Sequence, residues 1–216
     1  MTTSRTITLV AVLASVYVAA QMISDITSLK ITEVAGFSVD AGTMIYPITF
    51  TVRDLIHKVG GAALARVMIV TAAVINLAMA GFFWVAGRLP AVPGVGPQTD
   101  LFGDVLSPVW RIVFASIVAE VVAELIDTEA YSAWVRRFGA RHQWGRVLAS
   151  NAVAVPVDSA IFVVLAFVGT VSAADAWEIF AVNVVVKGVV AVVSIPLIYT
   201  VGDRGADGDV SRPRRG

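Results

Sequence analysis

Long apolar runs, separated by short clusters of charged residues, recur along the whole chain. Hydrophobic residues make up 57% of the 216 residues and charged residues only 15%, whereas soluble proteins are about 45–50% apolar and about 25% charged. An apolar run of about 20 residues is long enough for a helix to cross a bilayer. The sequence therefore predicts an all-α, polytopic membrane protein.

The positions of the apolar runs predict six transmembrane helices. They cover residues 6–24, 42–58, 63–86, 110–128, 146–169 and 176–200. We interpret residues 1–202 as one transmembrane domain and the polar, glycine-rich residues 203–216 as a disordered cytoplasmic tail. The proline- and glycine-rich stretch 88–104 is predicted to be an irregular loop, and Gly60-Gly61 a turn that ends the second helix. Six helices can form two halves of three, and such halves would be related as an inverted repeat.

The distribution of lysine and arginine predicts the orientation of these helices. With six crossings, most basic residues fall in the connections on one side, and the other side has only Lys30, Arg88 and Arg111. Basic connections are typically cytoplasmic, so we expect both termini in the cytoplasm and the protein in the bacterial inner membrane. The formal net charge is zero, which argues against a nucleic-acid partner. The chain has no cysteine, which excludes disulfides, thiolate metal sites and thiol nucleophiles.

The second predicted helix carries polar residues that a plain membrane anchor would not need. Its sequence, GTMIYPITFTVRDLIHKVGG, contains Pro47 and the adjacent charges Arg53 and Asp54. A charge at the centre of a membrane helix costs about 2.5–3.5 kcal/mol. Proline-interrupted polar helices are typical of transporter binding sites, and Pro156 interrupts the fifth helix in the same way.

Three further predicted helices carry polar residues at helical spacing. Glu120, Glu124 and Asp127 share one face of the fourth helix, although Asp127 also fits a hydrated helix end. Asn151 and Asp158 share a face of the fifth helix, and Asn183 and Lys187 lie one turn apart in the sixth. For Gln21 and Asn76, a role in the site and a role in joining helices are equally plausible.

Negative charges outnumber positive charges inside the predicted helices. Arg53 and Lys187 can compensate two carboxylates, so the remaining carboxylates must be hydrated, protonated or bound to a ligand. A carboxylate such as Asp158 or Glu124 can accept two parallel hydrogen bonds, and the amidine edge of a guanine-like ring presents two such donors. Phe50, Phe162 and Phe167 are candidates to stack on a planar ring, together with Tyr46. The predicted substrate-binding residues are Tyr46, Arg53, Asp54, Glu120, Glu124, Asp127, Asn151, Asp158, Asn183 and Lys187. We predict no catalytic residue, metal or cofactor.

Two segments carry a resemblance to a known family. YPITFTVRDLI in the second helix and SNAVAVPVDSAIFVVLAFVG in the fifth, with LIDT in the fourth, resemble the queuosine precursor transporter family, also called the vitamin uptake transporter family. Pro47, Asp54, Asp127, Asp158 and Ser159 match its characteristic positions. The resemblance implies a six-helix transporter that carries 7-deazaguanine compounds, such as preQ0 or preQ1, across the bacterial inner membrane for salvage into queuosine.

The implied partners are a small planar heterocycle and the lipid bilayer, and the sequence leaves a homodimer open. This chain has His57, Lys58 and Gly60 where the family usually has asparagine, glutamate and tyrosine, so its cytoplasmic mouth differs. A substrate-binding subunit of an energy-coupling-factor vitamin transporter is the alternative interpretation, because such subunits are also six-helix proteins of this size. An intramembrane enzyme would need a nucleophile with a base, or a metal site, and the sequence contains no such grouping.

Overall fold

The computed structural model describes residues 3–94, 96–138 and 143–200 and is mostly helical. The elements in chain order are α1 Thr3–Thr27, β1 Ile31–Val34, β2 Phe37–Asp40, a short 3₁₀ helix Ala41–Met44, α2 Pro47–Ala86, α3 Pro97–Leu106, α4 Val109–Phe138, α5 Gln143–Phe167 and α6 Ala173–Thr200. The predicted tail, residues 203–216, lies outside the described residues.

Among the residues that the structure describes, four helical stretches are long and apolar enough to cross a membrane. They are Ile7–Thr27, Ala63–Ala86, Leu101–Ala123 and Ala173–Val193. The apolar stretch of α5, Asn151–Phe167, is shorter than the roughly 20 residues that a bilayer requires. The polar residues early in α2 shorten its first apolar run in the same way. The count of six spans and the inverted repeat therefore remain predictions.

The backbone of α2 is helical through Gly60-Gly61, where we predicted a turn between two separate helices. That prediction was wrong about the local conformation, because glycine lowers helix stability by only about 1 kcal/mol and does not by itself end a helix. Gly60 is nevertheless a position of close approach. A Cβ atom built on it would lie 2.2 Å from Cδ2 of Leu64.

The long α2 helix cannot be straight. The Ser24 hydroxyl donates to the carbonyl of Gly42, just before α2, and the Asn76 amide, far along α2, donates to the side-chain oxygen of Gln21. Ser24 and Gln21 are neighbours on α1. A straight helix from Pro47 to Asn76, at 1.5 Å per residue, would be about 43 Å long. The helical chain must therefore bend back between these positions.

A β-hairpin follows α1, and the sequence analysis missed it. Strands β1 and β2 pair antiparallel and are joined by Ala35 and Gly36, whose φ angles are 54° and 86°. Two successive positive φ angles are the requirement of a tight two-residue hairpin turn. The hairpin is tied to α6, because the Ser38 amide donates to Glu178 (2.7 Å) and the Ser38 hydroxyl to Asp175 (2.6 Å).

The stretch predicted to be an irregular loop contains α3. Gly96 precedes this helix with a φ of 114°, and Pro97 occupies its first turn, where the fixed φ of proline favours a helix start. The α3 helix packs closely against the end of α2. A Cβ atom on Gly87 would lie 2.7 Å from Cα of Gly103, so this contact requires a glycine.

Helices α4, α5 and α6 pack together around an apolar core cluster. Alanines 115, 119 and 166 are almost fully buried there, and small residues allow membrane helices to approach closely. Arg111, at the start of α4, donates to the carbonyls of Leu165 (2.7 Å) and Val168 (2.6 Å) near the end of α5. This arginine satisfies two carbonyls that a helix end otherwise leaves without a partner.

Candidate functional site

A polar stripe runs along the buried face of α1. It consists of Tyr17, Gln21, Ser24, Asp25 and Ser28, each at most 5% exposed. Their spacing of three and four residues puts them on one side of a helix. Polar side chains within a membrane helix face protein or a hydrated cavity, and this stripe faces the other helices.

A cavity lies beside this stripe, at the centre of the helical bundle. It has a volume of about 290 Å³, including its opening. Side chains from α1, α4, α5 and α6 line it, together with the segment from the end of β2 to the start of α2. Because distant parts of the sequence converge there, the cavity depends on the folded arrangement of the whole chain.

An ion pair and two aromatic rings form one part of the cavity wall. The Lys187 ammonium contacts a carboxylate oxygen of Asp158 at 2.5 Å, and the two side chains are only 4% and 6% exposed. The same ammonium lies 4.7 Å from the ring centroid of Tyr46 and 5.8 Å from that of Phe162, within the range of a cation–π contact. Phe162 is held by an edge-to-face contact with Phe167.

Asp40 forms another part of the wall and is 1% exposed. One of its carboxylate oxygens accepts hydrogen bonds from the Ser28 hydroxyl (2.8 Å) and the Thr43 amide (3.0 Å). The other oxygen accepts from the Thr43 hydroxyl (2.6 Å) and the Asn183 amide (3.0 Å). Four donors satisfy this carboxylate, which explains its burial, and they fasten the end of β2 to α1 and α6.

A chain of side-chain hydrogen bonds connects α2, α1 and α4 next to the cavity. The Asn76 amide donates to Gln21 (3.3 Å), the Gln21 amide to the Tyr17 hydroxyl (2.8 Å), and the Tyr17 hydroxyl to Glu120 (2.9 Å). This chain favours the helix-joining interpretation of Gln21 and Asn76. The hydrogen bond from Tyr17 also directs the side chain of Glu120 toward α1.

The family model described as "Putative vitamin uptake transporter" matches residues 40–201 of this chain. The matched region contains the 3₁₀ helix and the whole of helices α2–α6. The chain belongs to this family.

A search of curated proteins gave a relative consistent with this family. The "Probable queuosine precursor transporter" of Bacillus subtilis (strain 168) is 27% identical over 186 residues, which are 83% of this chain and 79% of the relative. No solved structure matches the chain. The family and the apolar helices identify a multi-pass membrane transporter rather than an enzyme, and the family resemblance found in the sequence is confirmed.

Four of the ten predicted site residues of this transporter line the cavity: Tyr46, Asp158, Asn183 and Lys187. Three other predicted site residues do not line the cavity in the part of the chain that the structure describes. They are Arg53, Glu120 and Asn151, which are half-buried. The side chains of the remaining three, Asp54, Glu124 and Asp127, lie outside the described part of the structure, as does that of Phe50.

Two buried carboxylates of the transporter were not predicted as site residues. They are Asp25 and Asp40, which are 2% and 1% exposed. Asp25 is buried because α1 extends to Thr27, beyond the predicted end of the first helix. Asp40 is buried because the hairpin returns the chain to the bundle.

The sequence contains a signal for each of these residues. Asp25 lies four residues after Gln21, on the same helix face. Asp40 lies three residues before Thr43, and it caps the 3₁₀ helix by accepting a hydrogen bond from the Thr43 amide.

Proposed function

We propose that this transporter imports a queuosine precursor, a 7-deazaguanine-type base such as preQ0 or preQ1, across the bacterial inner membrane. The observation that carries the proposal is the buried Asp158–Lys187 pair beside the rings of Tyr46 and Phe162. A central cavity with a few converging polar groups and aromatic walls is the usual form of a small-molecule site. The name of the Bacillus subtilis relative supports the choice of substrate.

The chemistry of the ion pair complements one edge of such a base. A guanine-like ring presents two parallel N–H donors next to a carbonyl acceptor. Asp158 can accept from the two donors, while the Lys187 ammonium can donate to the carbonyl. Tyr46 and Phe162 would contact the ring faces, and stacking of a base on an aromatic side chain contributes about 1–3 kcal/mol.

Asp40 has a different role in this proposal. Its two oxygens already accept four hydrogen bonds from Ser28, Thr43 and Asn183, so it fixes the shape of the cavity. Asp158 exchanges part of its contact with Lys187 for the base. Asp158 and Lys187 thus keep part of their contact, so their opposite charges compensate each other both when the site is empty and when the base is bound.

The walls of the cavity must move apart to admit the base. The space inside the cavity that a water-sized sphere can occupy is only about 10 Å³, whereas sites for small molecules usually have about 300–1,000 Å³. We propose that the bundle rocks open, as secondary transporters do. With the termini in the cytoplasm, the hairpin end of the bundle, where Ser38 meets Asp175 and Glu178, faces the outside.

Uptake in cells tests the proposed function. The host is a bacterium that cannot synthesise the precursor but can insert it into tRNA, and that lacks energy-coupling-factor ATPases. Expression of this chain alone should raise the queuosine content of tRNA at a low external concentration of precursor. No rise over the empty vector, with the protein present in the membrane, would refute the substrate assignment. Uptake that appears only when a coupling ATPase is supplied would indicate a substrate-binding subunit.

Asp158→Asn tests whether the cavity is the transport site. Uptake, measured per amount of protein in the membrane, should be abolished, because the amide cannot accept two hydrogen bonds side by side. The matched control is Val164→Ala on the same helix, since Val164 is 55% exposed and lies away from the cavity. Unchanged uptake by Asp158→Asn would remove this residue from the site.

A further inference from the structure

Asp25 is a buried carboxylate that pairs with no positively charged side chain in the described part of the structure. It is 2% exposed and lies within the apolar stretch Ile7–Thr27 of α1. Its Oδ1 atom accepts a hydrogen bond from the Ser116 hydroxyl at 2.9 Å, whereas no donor in the described part of the chain reaches Oδ2. Asp158, by contrast, pairs with a lysine, and Asp40 accepts four hydrogen bonds. Asp25 therefore has a proton-binding position that the fold leaves unused.

The charged and titratable groups around Asp25 do not favour its ionised form. From α4, Glu120 interacts with it electrostatically as a like charge. From the start of α2, the nearby group is the Tyr46 hydroxyl. Two bases lie in the same region, but Lys187 pairs with Asp158, and Arg53 acts on Tyr17 instead.

A carboxylate that is removed from water and has a single hydrogen bond is costly unless it binds a proton. In the closed arrangement, a proton on Oδ2 makes the group neutral and leaves its bond to Ser116 intact. Ionisation needs water or another donor to reach Oδ2, and this requires movement of the surrounding helices.

Asp25 adjoins the cavity through its neighbours. Ser116, which holds Oδ1, lines the cavity, and so do Ser24 and Ser28 from the same polar stripe of α1. A movement that opens the cavity to water therefore also changes the access of water to Asp25. The cavity wall formed by Ser24, Ser28 and Ser116 therefore lies next to both the substrate and the proton-binding carboxylate.

We infer that Asp25 carries the proton that couples transport to the transmembrane proton gradient. This inference rests on the proposed function and adds its energy source. Oδ2 takes a proton from water when the cavity opens to the outside. The neutral carboxyl crosses with the base, and the Oδ2–H bond then breaks to cytoplasmic water when the cavity opens inward. Without the base, water in the cavity reaches Oδ2, so the hydrated carboxylate can return to the outward state and bind the next proton.

Reconstituted full-length protein provides the test, with a radiolabelled 7-deazaguanine base as the probe. Two quantities are measured: accumulation driven by an inside-alkaline pH gradient, and exchange of labelled for unlabelled base without a gradient. One pH unit corresponds to about tenfold accumulation for one proton per base. The wild type should approach this value. Asp25→Asn, which stays neutral and keeps an acceptor for Ser116, should show no accumulation while its exchange rate remains within about twofold of the wild type.

Several results would overturn the inference. They are accumulation by Asp25→Asn equal to the wild type, loss of exchange as well as accumulation in that variant, and accumulation by the wild type that follows a sodium gradient but not a pH gradient. A wild-type protein that exchanges the base yet ignores the pH gradient refutes the coupling and leaves the proposed function intact. A wild-type protein that neither exchanges nor accumulates the base refutes the proposed function itself.

An infrared measurement does not depend on transport. The purified wild type should show the carbonyl band of a protonated carboxylic acid near neutral pH, and Asp25→Asn should lack this band. Glu33→Gln, on the exposed hairpin, is the control that should leave the band unchanged. A band that persists in Asp25→Asn would overturn the inference.

Discussion

The ion pair between Lys187 and Asp158 gives a prediction that can be worked out quantitatively. Lys187→Met removes the ammonium and leaves Asp158 buried without a counter-ion, and Asp158→Asn does the reverse. Removing one partner of a buried ion pair costs about 3–5 kcal/mol, because the remaining charge is uncompensated. Each single variant should therefore lose about this much stability.

The double variant, Lys187→Met with Asp158→Asn, should recover most of the loss. It buries no charge, and replacing a whole buried pair by neutral residues is often neutral or stabilising by about 1–4 kcal/mol. The two substitutions are thus expected to be strongly non-additive. All three variants should fail to transport, because the proposed recognition of the base uses both charges.

Stability is measured as resistance to unfolding in detergent, by denaturant titration followed through tryptophan fluorescence. Uptake by the same preparations after reconstitution into liposomes separates a folding defect from a functional one, since the double variant should be stable but inactive. The loss in the double variant could instead equal the sum of the two single losses within about 0.3–0.5 kcal/mol, as for independent sites. That result would refute the pairing of Asp158 with Lys187.

Three more predictions address the packing of the bundle. Gly42→Ala should destabilise the protein by about 1–3 kcal/mol, because its Cβ would lie 2.0 Å from a serine hydroxyl and 2.5 Å from a backbone oxygen of α1; Gly81→Ala, with no atom within 4 Å, is the matched control. Arg111→Met should lower the melting temperature, and Arg111→Lys should restore little, since one ammonium cannot reproduce the two hydrogen bonds of the guanidinium to α5. Because the chain has no cysteine, Gln21→Cys with Asn76→Cys should be joined within one chain by a short thiol cross-linker; no cross-link would contradict the fold-back of α2.

The helices and part of the cavity could be predicted because membrane helices leave a strong pattern in the sequence. Apolar runs located the helices to within a few residues, except in the polar first part of α2, in α3 and at the end of α4, which extends to Phe138 and not to residue 128. Asp158, Asn183 and Lys187 were identified because a polar side chain within an apolar run is costly and therefore needs a reason. Nothing in this pattern depends on tertiary contacts.

The other part of the cavity could not be predicted, because tertiary contacts create it. Asp40 is the last residue of the second of two four-residue strands, which are too short to produce a periodic signal. Its contacts with Ser28, Thr43 and Asn183 form only in the folded chain. Asp25 lies near the end of an apolar run, where a hydrated carboxylate is the ordinary expectation. Asp25 is instead buried, because α1 extends to Thr27 and Ser116 donates a hydrogen bond to the carboxylate.

The cavity also changes the interpretation of the predicted second helix. Its Pro47 starts a helix, as proline often does, and the preceding Tyr46 supplies a ring to the cavity. Arg53 lies further along and does not line the cavity within the described residues. This segment therefore contributes to the site mainly through Tyr46, which precedes the helix.

Binding of the base to the purified protein tests the central claim most directly. Titration calorimetry with a 7-deazaguanine base should give saturable binding to one site per chain, with adenine unable to compete because it lacks the paired N–H donors. Asp158→Asn should bind at least about tenfold more weakly, since a hydrogen bond to a charged group contributes about 1.5–3 kcal/mol. Equal binding by the wild type and Asp158→Asn, or no binding by the wild type, would contradict the account.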